Sequence, residues 1–260
     1  MEKLVRVEKQ GRVAIVTIDN PPMNVLGKQV KQGLDEAFTG LANDETVGAV
    51  ILTGAGERAF MAGADIKEFP DNMKIGKEEK LERSRDSHRV LNKIADLPKP
   101  TIALLNGLAL GGGCELALTC DVRIAEEHVK IGLPEIKLGL FPGGGGTQRL
   151  PRLIGSSKAK ELMFTGVPLT AEEALQIGLV NQVVPSGKGM EIAVSYAGKV
   201  AAHSSESLRR IKQAVNEGME QTLENGLELE AQLFAEVFET DDVKEGVKAF
   251  IEKRKPVFNR

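Results

Sequence analysis

Thr101-Ile102-Ala103-Leu104-Leu105-Asn106-Gly107-Leu108-Ala109-Leu110-Gly111-Gly112-Gly113-Cys114-Glu115-Leu116-Ala117-Leu118-Thr119 is the stretch on which the reading of the fold turns. Its first five residues form a short apolar run bounded by turn formers, which reads as a strand buried on both faces. Glycines follow, and Cys114 to Thr119 reads as helix. The same unit recurs on both sides. Gly48 to Thr53 is a second buried strand, followed by Gly54-Ala55-Gly56. Val122 to Ala125 and Val180 to Val184 are further strand candidates. Strand, glycine turn and helix repeated at unequal spacing specify an α/β layered core.

The flanking segments fit that core. Val5 and Val7 alternate with charged residues, Gln10-Gly11 marks a turn, and Val13 to Ile18 completes a hairpin ended by Asp19-Asn20-Pro21-Pro22. Val30, Leu34, Ala37, Phe38 and Leu41 give one face of a helix over 29–41. Residues 67–86 are dominated by charge and read as a solvated excursion, with a helix from about Lys77 to Ala95 closed by Pro98 and Pro100. Thr170 with Glu173 forms a capping box, and Gly178 stops that helix. Beyond Ser186 only helices are expected. Leu208, Ile211, Val215 and Met219 share one face, and Leu227, Ala231, Phe234 and Phe238 share another. Asp242 with Glu245 is expected to cap a last helix ending near Arg254. The expected division is a core domain over 1–199 and a helical appendage over 200–260. Amphipathic helices of that length bury little alone and should pack on the core or on another subunit.

Bulk properties narrow the function. The chain has 260 residues, 42% hydrophobic, enough for a sizeable core. A net charge of -3 gives no basic footprint for nucleic acid or an anionic membrane. No apolar run is long enough to span a bilayer, and MEKLVRVEKQ lacks the features of a targeting peptide. Two cysteines, Cys114 and Cys120, are too few for a disulfide framework, which points to free thiols and the cytoplasm. His88, His128 and His203 have no metal spacing, so no metal site is expected, and surface or structural roles are.

Three constellations carry possible chemistry. In Leu110 to Leu118, glycines leave backbone N–H groups unshielded at a helix start, where a developing oxyanion would be stabilised. Glu115 lies in that first turn, as a catalytic acid or as an ordinary dipole-favoured carboxylate. Glu135 lies between Pro134 and Ile136 in an apolar stretch. It is either a turn residue or a buried carboxyl with a raised pKa. Two carboxylates in one dry site rarely both ionise, so one can hold a proton while the other accepts one. The third constellation, Ala59 to Lys67, follows the buried strand and has small residues around Gly63, which permits close ligand approach or simply a tight loop with a helix start at Asp65. Two other patterns mislead. Gly54 to Ala59 matches G-x-G-x-x-A, but Gly63 interrupts the helix a pyrophosphate would need. Gly143 to Gly146 lacks the ending of a phosphate loop. Cys114 has no obvious base beside it and reads as a small buried residue.

Phe60-Met61-Ala62-Gly63-Ala64-Asp65-Ile66-Lys67, Asn106 through Leu116, and Pro134-Glu135 followed by Pro142-Gly143 through Arg149 together resemble the enoyl-CoA hydratase/isomerase (crotonase) family. The likeness extends through Thr165-Gly166 to Ala249-Phe250-Ile251-Glu252-Lys253-Arg254-Lys255. It implies a spiral of ββα repeats with a C-terminal helical trimerisation region, assembled as a hexamer, a dimer of trimers. It implies an acyl-CoA thioester as substrate, with no separate cofactor because coenzyme A belongs to the substrate. The implied activity is reversible hydration of trans-2-enoyl-CoA to 3-hydroxyacyl-CoA in fatty-acid β-oxidation. Within the same family, a shift of the double bond between positions two and three, or dehydration of short 3-hydroxyacyl thioesters, is the alternative. A non-catalytic acyl-CoA or RNA-binding role is a more distant one. By the same likeness Ala64 and Gly112 match the oxyanion hole, and Glu115 and Glu135 the two catalytic acids. Ala62, Asp65, Ile66 and Lys67 match the stretch along coenzyme A, and Phe234 and Lys253 match C-terminal positions that reach a coenzyme A site. Met61, where small residues are common, and the loop Asn20-Pro21-Pro22-Met23-Asn24-Val25 depart from the family pattern.

Overall fold

Gly11, at a φ of 59°, turns β1 (Val5–Gln10) back onto β2 (Val13–Ile18) in a computed structural model that describes residues 3–259. The chain continues through α1 (Lys28–Ala42), β3 (Ala49–Gly54), β4 (Ala59–Ala62), α2 (Phe69–Lys74) and α3 (Lys77–Ala95). Then come β5 (Thr101–Leu105), β6 (Leu108–Leu110), α4 (Gly112–Ala117), β7 (Val122–Glu126) and β8 (Lys130–Gly132). After a glycine-rich loop follow α5 (Gly146–Ile154), α6 (Ser156–Thr165), β9 (Leu169–Thr170), α7 (Ala171–Gln176) and β10 (Gln182–Val184). Four helices end the chain: α8 (Gly189–Ala201), α9 (Ser205–Gly218), α10 (Leu223–Phe238) and α11 (Asp241–Ile251).

The strands divide between two sheets. The larger has the order β1-β2-β3-β5-β7-β10, parallel except for the β1–β2 hairpin. At its centre, over β2, β3 and β5, both faces are covered, which is why those strands read as continuous apolar runs, while the edge strand β1 is exposed beyond Val5. On one face Val13, Ile15, Ile51, Ile102 and Leu104 pack on Ala193, Ala197 and Ala201 of α8. On the other, Val16, Ile18, Val50 and Leu52 meet Val30, Leu34 and Phe38 of α1, together with Phe60 and Met61. Each such buried Leu, Ile or Phe contributes about 1.5–3 kcal/mol. Met61 is wholly buried in this cluster, so its size is absorbed by the core.

The smaller sheet, β4-β6-β8-β9, is not foreseen from the sequence. Three successive pairs, β3/β4, β5/β6 and β7/β8, each send one strand to the large sheet and the next to the small one. β4, β6 and β8 run parallel, with Ala62 beside Leu110 and Leu110 beside Gly132. The segments that leave these three strands therefore emerge side by side.

Boundaries differ locally from expectation. The helix after the glycines begins at Gly112 rather than Cys114 and ends at Ala117, and the last strand is only Gln182–Val184. After Gly54 the chain enters β4 within a few residues, so the G-x-G-x-x-A match opens no helix. The Thr170–Glu173 capping box is present on α7. Asp242 does not cap the last helix. Thr240 does, accepting from the Val243 amide, while Asp242 accepts from the Asn259 amide and Glu245 binds Arg254. An acid inside a first turn gains from the dipole without being the cap, and a short hydroxyl at the extended residue has the better geometry. α9 packs on α10 and α10 on α11, and their apolar faces, including Ile211, Met219, Phe234 and Phe238, are exposed in the single chain. Among the described residues no helix is long and apolar enough to cross a membrane.

Candidate active site

The small sheet gathers the site at the carboxyl ends of its parallel strands. Gly63 and Ala64 follow β4, Gly111 and Gly112 follow β6, and Leu133, Pro134 and Glu135 follow β8. Ligands in α/β folds bind at such strand ends, where loops project free of the sheet.

Gly113 makes the approach of α4 to β4 possible, since a Cβ there would lie 1.9 Å from the Met61 carbonyl oxygen. Gly111 takes a φ of 54° at the helix start, a left-handed conformation open to glycine. The adjoining Gly112 amide is the first of the helix and has no intrahelical acceptor. A Cβ on Gly112 would sit 3.6 Å from the Ala64 nitrogen, so the two main-chain donors are neighbours. Ala64 forms a parallel bridge with Leu26 that uses the Gly63 carbonyl and the Asp65 amide. Alternation along an extended chain turns the intervening Ala64 N–H the other way. The loop from Asn20 to Val25 backs this bridge. Asn24 is buried, donates to the Ala55 and Ala59 carbonyls, and fixes the chain leading to Leu26.

Glu115, in the first turn of α4, is 4% exposed. Its Oε1 accepts from the Gly144 amide at 2.7 Å and the Gly146 amide at 2.9 Å. Burial pushes its carboxyl up; those two amides, and the charges of His88 and Arg149, pull it part of the way back. Gly144 and Gly146 are glycines for a steric reason as well, because a Cβ on Gly144 would meet Glu115 Oε2 at 2.4 Å.

Glu135 opens a 3₁₀ turn, Glu135–Leu138, that ends on the left-handed Gly139. Its side chain lies against Gly111, where a Cβ would be 3.0 Å from Oε1. Its Oε2 is shut off from solvent and has no hydrogen-bond partner. Burial, with Glu115 nearby, pushes this carboxyl up to about 7. One carboxyl is solvated by backbone amides and the other is unpartnered, an arrangement that suits one to accept a proton and the other to hold one.

That carboxyl makes a stability prediction independent of any substrate. Near about pH 4 the folded and unfolded chains both hold the Glu135 proton. As pH rises the unfolded chain releases it first, so the penalty on the folded state grows until about 7 is passed and stays at its full value above that. Glu135→Gln should therefore leave stability unchanged near about pH 4 and raise it by about 1–2 kcal/mol at about pH 8, after allowance for solvent screening. Urea melts at both pH values would show it. Equal loss of stability at both would mean that the side chain is not held in an unfavourable environment.

The remaining candidates fall into two groups. Ala62 ends β4; Asp65 caps a 3₁₀ turn, Ile66–Glu68, by accepting from the Lys67 amide; Ile66 and Lys67 are exposed beside the Ala64 donor. Phe234 and Lys253 stand apart on the C-terminal helices: Phe234 rests edge to face on Phe238 at 5.2 Å, and Lys253 follows α11 in a left-handed conformation. Sequence reasoning does not single out Gly144 and Gly146 as the residues that solvate Glu115. The signal is present as a run of four glycines with no phosphate-loop ending. Cys114 and Cys120 are buried free thiols, and burial pushes Cys120 up to about 12.

Known proteins share this fold. The family model described as Enoyl-CoA hydratase/isomerase matches residues 8–260. The chain is 44% identical over 252 residues to a short-chain-enoyl-CoA hydratase of Clostridium acetobutylicum, covering 96% of this chain and 95% of that protein. It is 42% identical over 253 residues to a crotonyl-CoA hydratase of Syntrophomonas wolfei, covering 97% and 96%. The crystal structure of an enoyl-CoA hydratase from Bacillus anthracis superposes with a TM-score of 0.93 at 39% identity, over 98% of this chain and 99% of that one. Fold and sequence agree, and the chain belongs to the enoyl-CoA hydratase/isomerase family.

Proposed function

We propose that this enzyme adds water reversibly across the double bond of a trans-2-enoyl-CoA to give a 3-hydroxyacyl-CoA, a step of fatty-acid β-oxidation. The observation that carries the reading is the pairing of Glu115, held by two amides, with Glu135, whose Oε2 has no partner, beside the amides of Ala64 and Gly112. The thioester oxygen accepts hydrogen bonds from Ala64 and Gly112, which stabilises the negative charge that grows on it. Glu115 accepts a proton from water as the new bond forms between water oxygen and C3. Glu135 gives its proton to C2, and the charge on the thioester oxygen collapses. One proton then passes from Glu115 back to Glu135, so the resting state is restored without a metal or separate cofactor. Ala62, Asp65, Ile66 and Lys67 lie along the coenzyme A moiety.

The names of the two relatives, short-chain-enoyl-CoA hydratase and crotonyl-CoA hydratase, favour a short acyl chain. Residues 200–260 serve as the oligomerisation region of a hexamer, a dimer of trimers, around a spiral ββα core over 1–199. The exposure of Phe250 at 85% and Met219 at 79% supports a covered face there. Phe234 and Lys253 reach a coenzyme A site from that region. Free buried thiols favour the cytoplasm.

The test is a chain-length series of trans-2-enoyl-CoA substrates, followed by loss of conjugated-thioester absorbance in water labelled with heavy oxygen. Label should appear in the hydroxyl at C3, with the highest kcat/KM on short chains. Turnover without label would assign the protein to double-bond isomerisation instead.

A further inference from the structure

One peptide unit links the site to a helix that carries no candidate residue. The Gly143–Gly144 peptide donates its N–H to Glu115 Oε1 at 2.7 Å. On its opposite edge, the Gly143 carbonyl oxygen lies 2.6 Å from His88 Nε2, on α3. A carbonyl oxygen offers only lone pairs, so Nε2 carries the proton and His88 is the donor. The chain of contacts is thus His88 to C=O, across the peptide, and N–H to carboxylate. A donor on an amide oxygen withdraws electron density from its nitrogen and strengthens the opposite N–H as a donor.

We propose that His88 is a positioning residue for the hydration reaction: through the Gly143–Gly144 peptide it fixes the amide that solvates Glu115 and keeps that carboxyl ionised as the base. The proposal rests on the hydratase reading given above.

The surroundings show that α3 is built for this contact. Asn92 lies one turn after His88 on the same face of α3 and accepts from Arg149 Nη2 at 2.6 Å. Arg149 Nη1 in turn donates to the Gly144 carbonyl at 3.4 Å. A Cβ on Gly145, which has a φ of 104°, would meet that same nitrogen at 2.2 Å. Two consecutive peptides of the glycine loop are therefore gripped between α3 and α5, with Gly144 held to glycine by the Glu115 carboxylate and Gly145 by its left-handed backbone. The ionisable groups acting on Glu115 are His88 from α3, Arg149 from α5, Glu135 from the 3₁₀ turn and Cys114 on its own helix. Arg149 is itself acted on by Asp96. β4 and β6, which also pack on α4, contribute no ionisable side chain.

His88→Ala and His88→Gln decide the matter, the second because its amide nitrogen can still donate to the Gly143 oxygen. His88→Ala should lower kcat for crotonyl-CoA hydration by roughly tenfold, about the worth of one hydrogen bond, with KM within about twofold. Its acid limb of kcat/KM should move to higher pH, because weaker solvation raises the Glu115 pKa. His88→Gln should recover kcat to within about threefold and return the limb towards wild type. An unmoved limb, or a loss that Gln does not rescue, would overturn the proposal and leave His88 as a packing residue. An infrared titration of the carboxylic-acid band that Glu115→Gln abolishes reads the same shift without turnover. Should the wild type fail to hydrate any enoyl thioester, the functional reading falls, and the band still reports whether His88 sets the Glu115 ionisation.

Discussion

Glu115→Gln and Glu135→Gln should each hydrate trans-2-enoyl-CoA at least about a hundredfold more slowly than wild type, with thioester affinity near normal. The two substitutions remove different things. At Glu115 an amide oxygen can still accept from Gly144 and Gly146, so the loop and the fold persist. The lost atom is Oε2, which becomes an N–H₂ group unable to take a proton from water. At Glu135 the substitution keeps shape and neutrality and removes the proton that C2 must receive. Neither change touches Ala64 or Gly112, so binding of the thioester oxygen survives. The double variant should be little slower than the slower single one, because a base without its acid partner completes no cycle. Steady-state kinetics with crotonyl-CoA, beside equilibrium binding of a non-reactive acyl-CoA, separates the two effects. Near-normal turnover by either single variant would remove that residue from the mechanism.

The centre of the large sheet is legible in the sequence because both of its faces are buried. Gly48 to Thr53 and Thr101 to Leu105 announce themselves by apolar continuity, and the observed strands lie within a residue of those limits. α3 is legible for the opposite reason, since its solvated, charged face and the prolines beyond it fix both ends. The small sheet is not legible. Ala-Phe-Met-Ala, Leu-Ala-Leu and Lys-Ile-Gly are too short to show alternation, contain little β-branched residue and are embedded in glycine motifs. Their registry exists only through pairing between segments far apart in the chain.

The site divides along the same line. The family likeness points to Glu115 and Glu135, and the structure adds the glycine amides that Glu115 accepts from. What no spacing argument can supply is that Glu115 is solvated by amides 29 and 31 positions later, or that Glu135 keeps an oxygen without a partner. Those facts depend on where β8 and the glycine loop return in space. His88 reads as structural when metal spacing is the signal sought. Its role runs through a main-chain oxygen, which leaves no trace in residue type.

Gly113→Ala should abolish folding or lower stability by more than about 3 kcal/mol, while Gly112→Ala, one residue earlier, should fold and lose activity. Alanine is the better helix former by about 1 kcal/mol, so propensity alone would stabilise both. Space decides otherwise. At Gly113 the new Cβ would stand 1.9 Å from the Met61 oxygen and 2.7 Å from its carbonyl carbon. Both are backbone atoms of β4, the strand that leads to Gly63 and Ala64, and relief requires α4 to move off it. Overpacking that a side chain cannot absorb exceeds the usual cost of a crowded core, about 1–3 kcal/mol. At Gly112 the nearest atoms, Leu26 Cδ2 at 3.5 Å and the Ala64 nitrogen at 3.6 Å, are at ordinary contact distance. The methyl group there fits, but it covers the Ala64 donor. Urea denaturation and hydration rates of the two variants make the comparison. A stable Gly113→Ala, or a fully active Gly112→Ala, would mean that α4 does not meet β4 as closely as this geometry requires, and that the paired amides of Ala64 and Gly112 are not where the thioester oxygen binds.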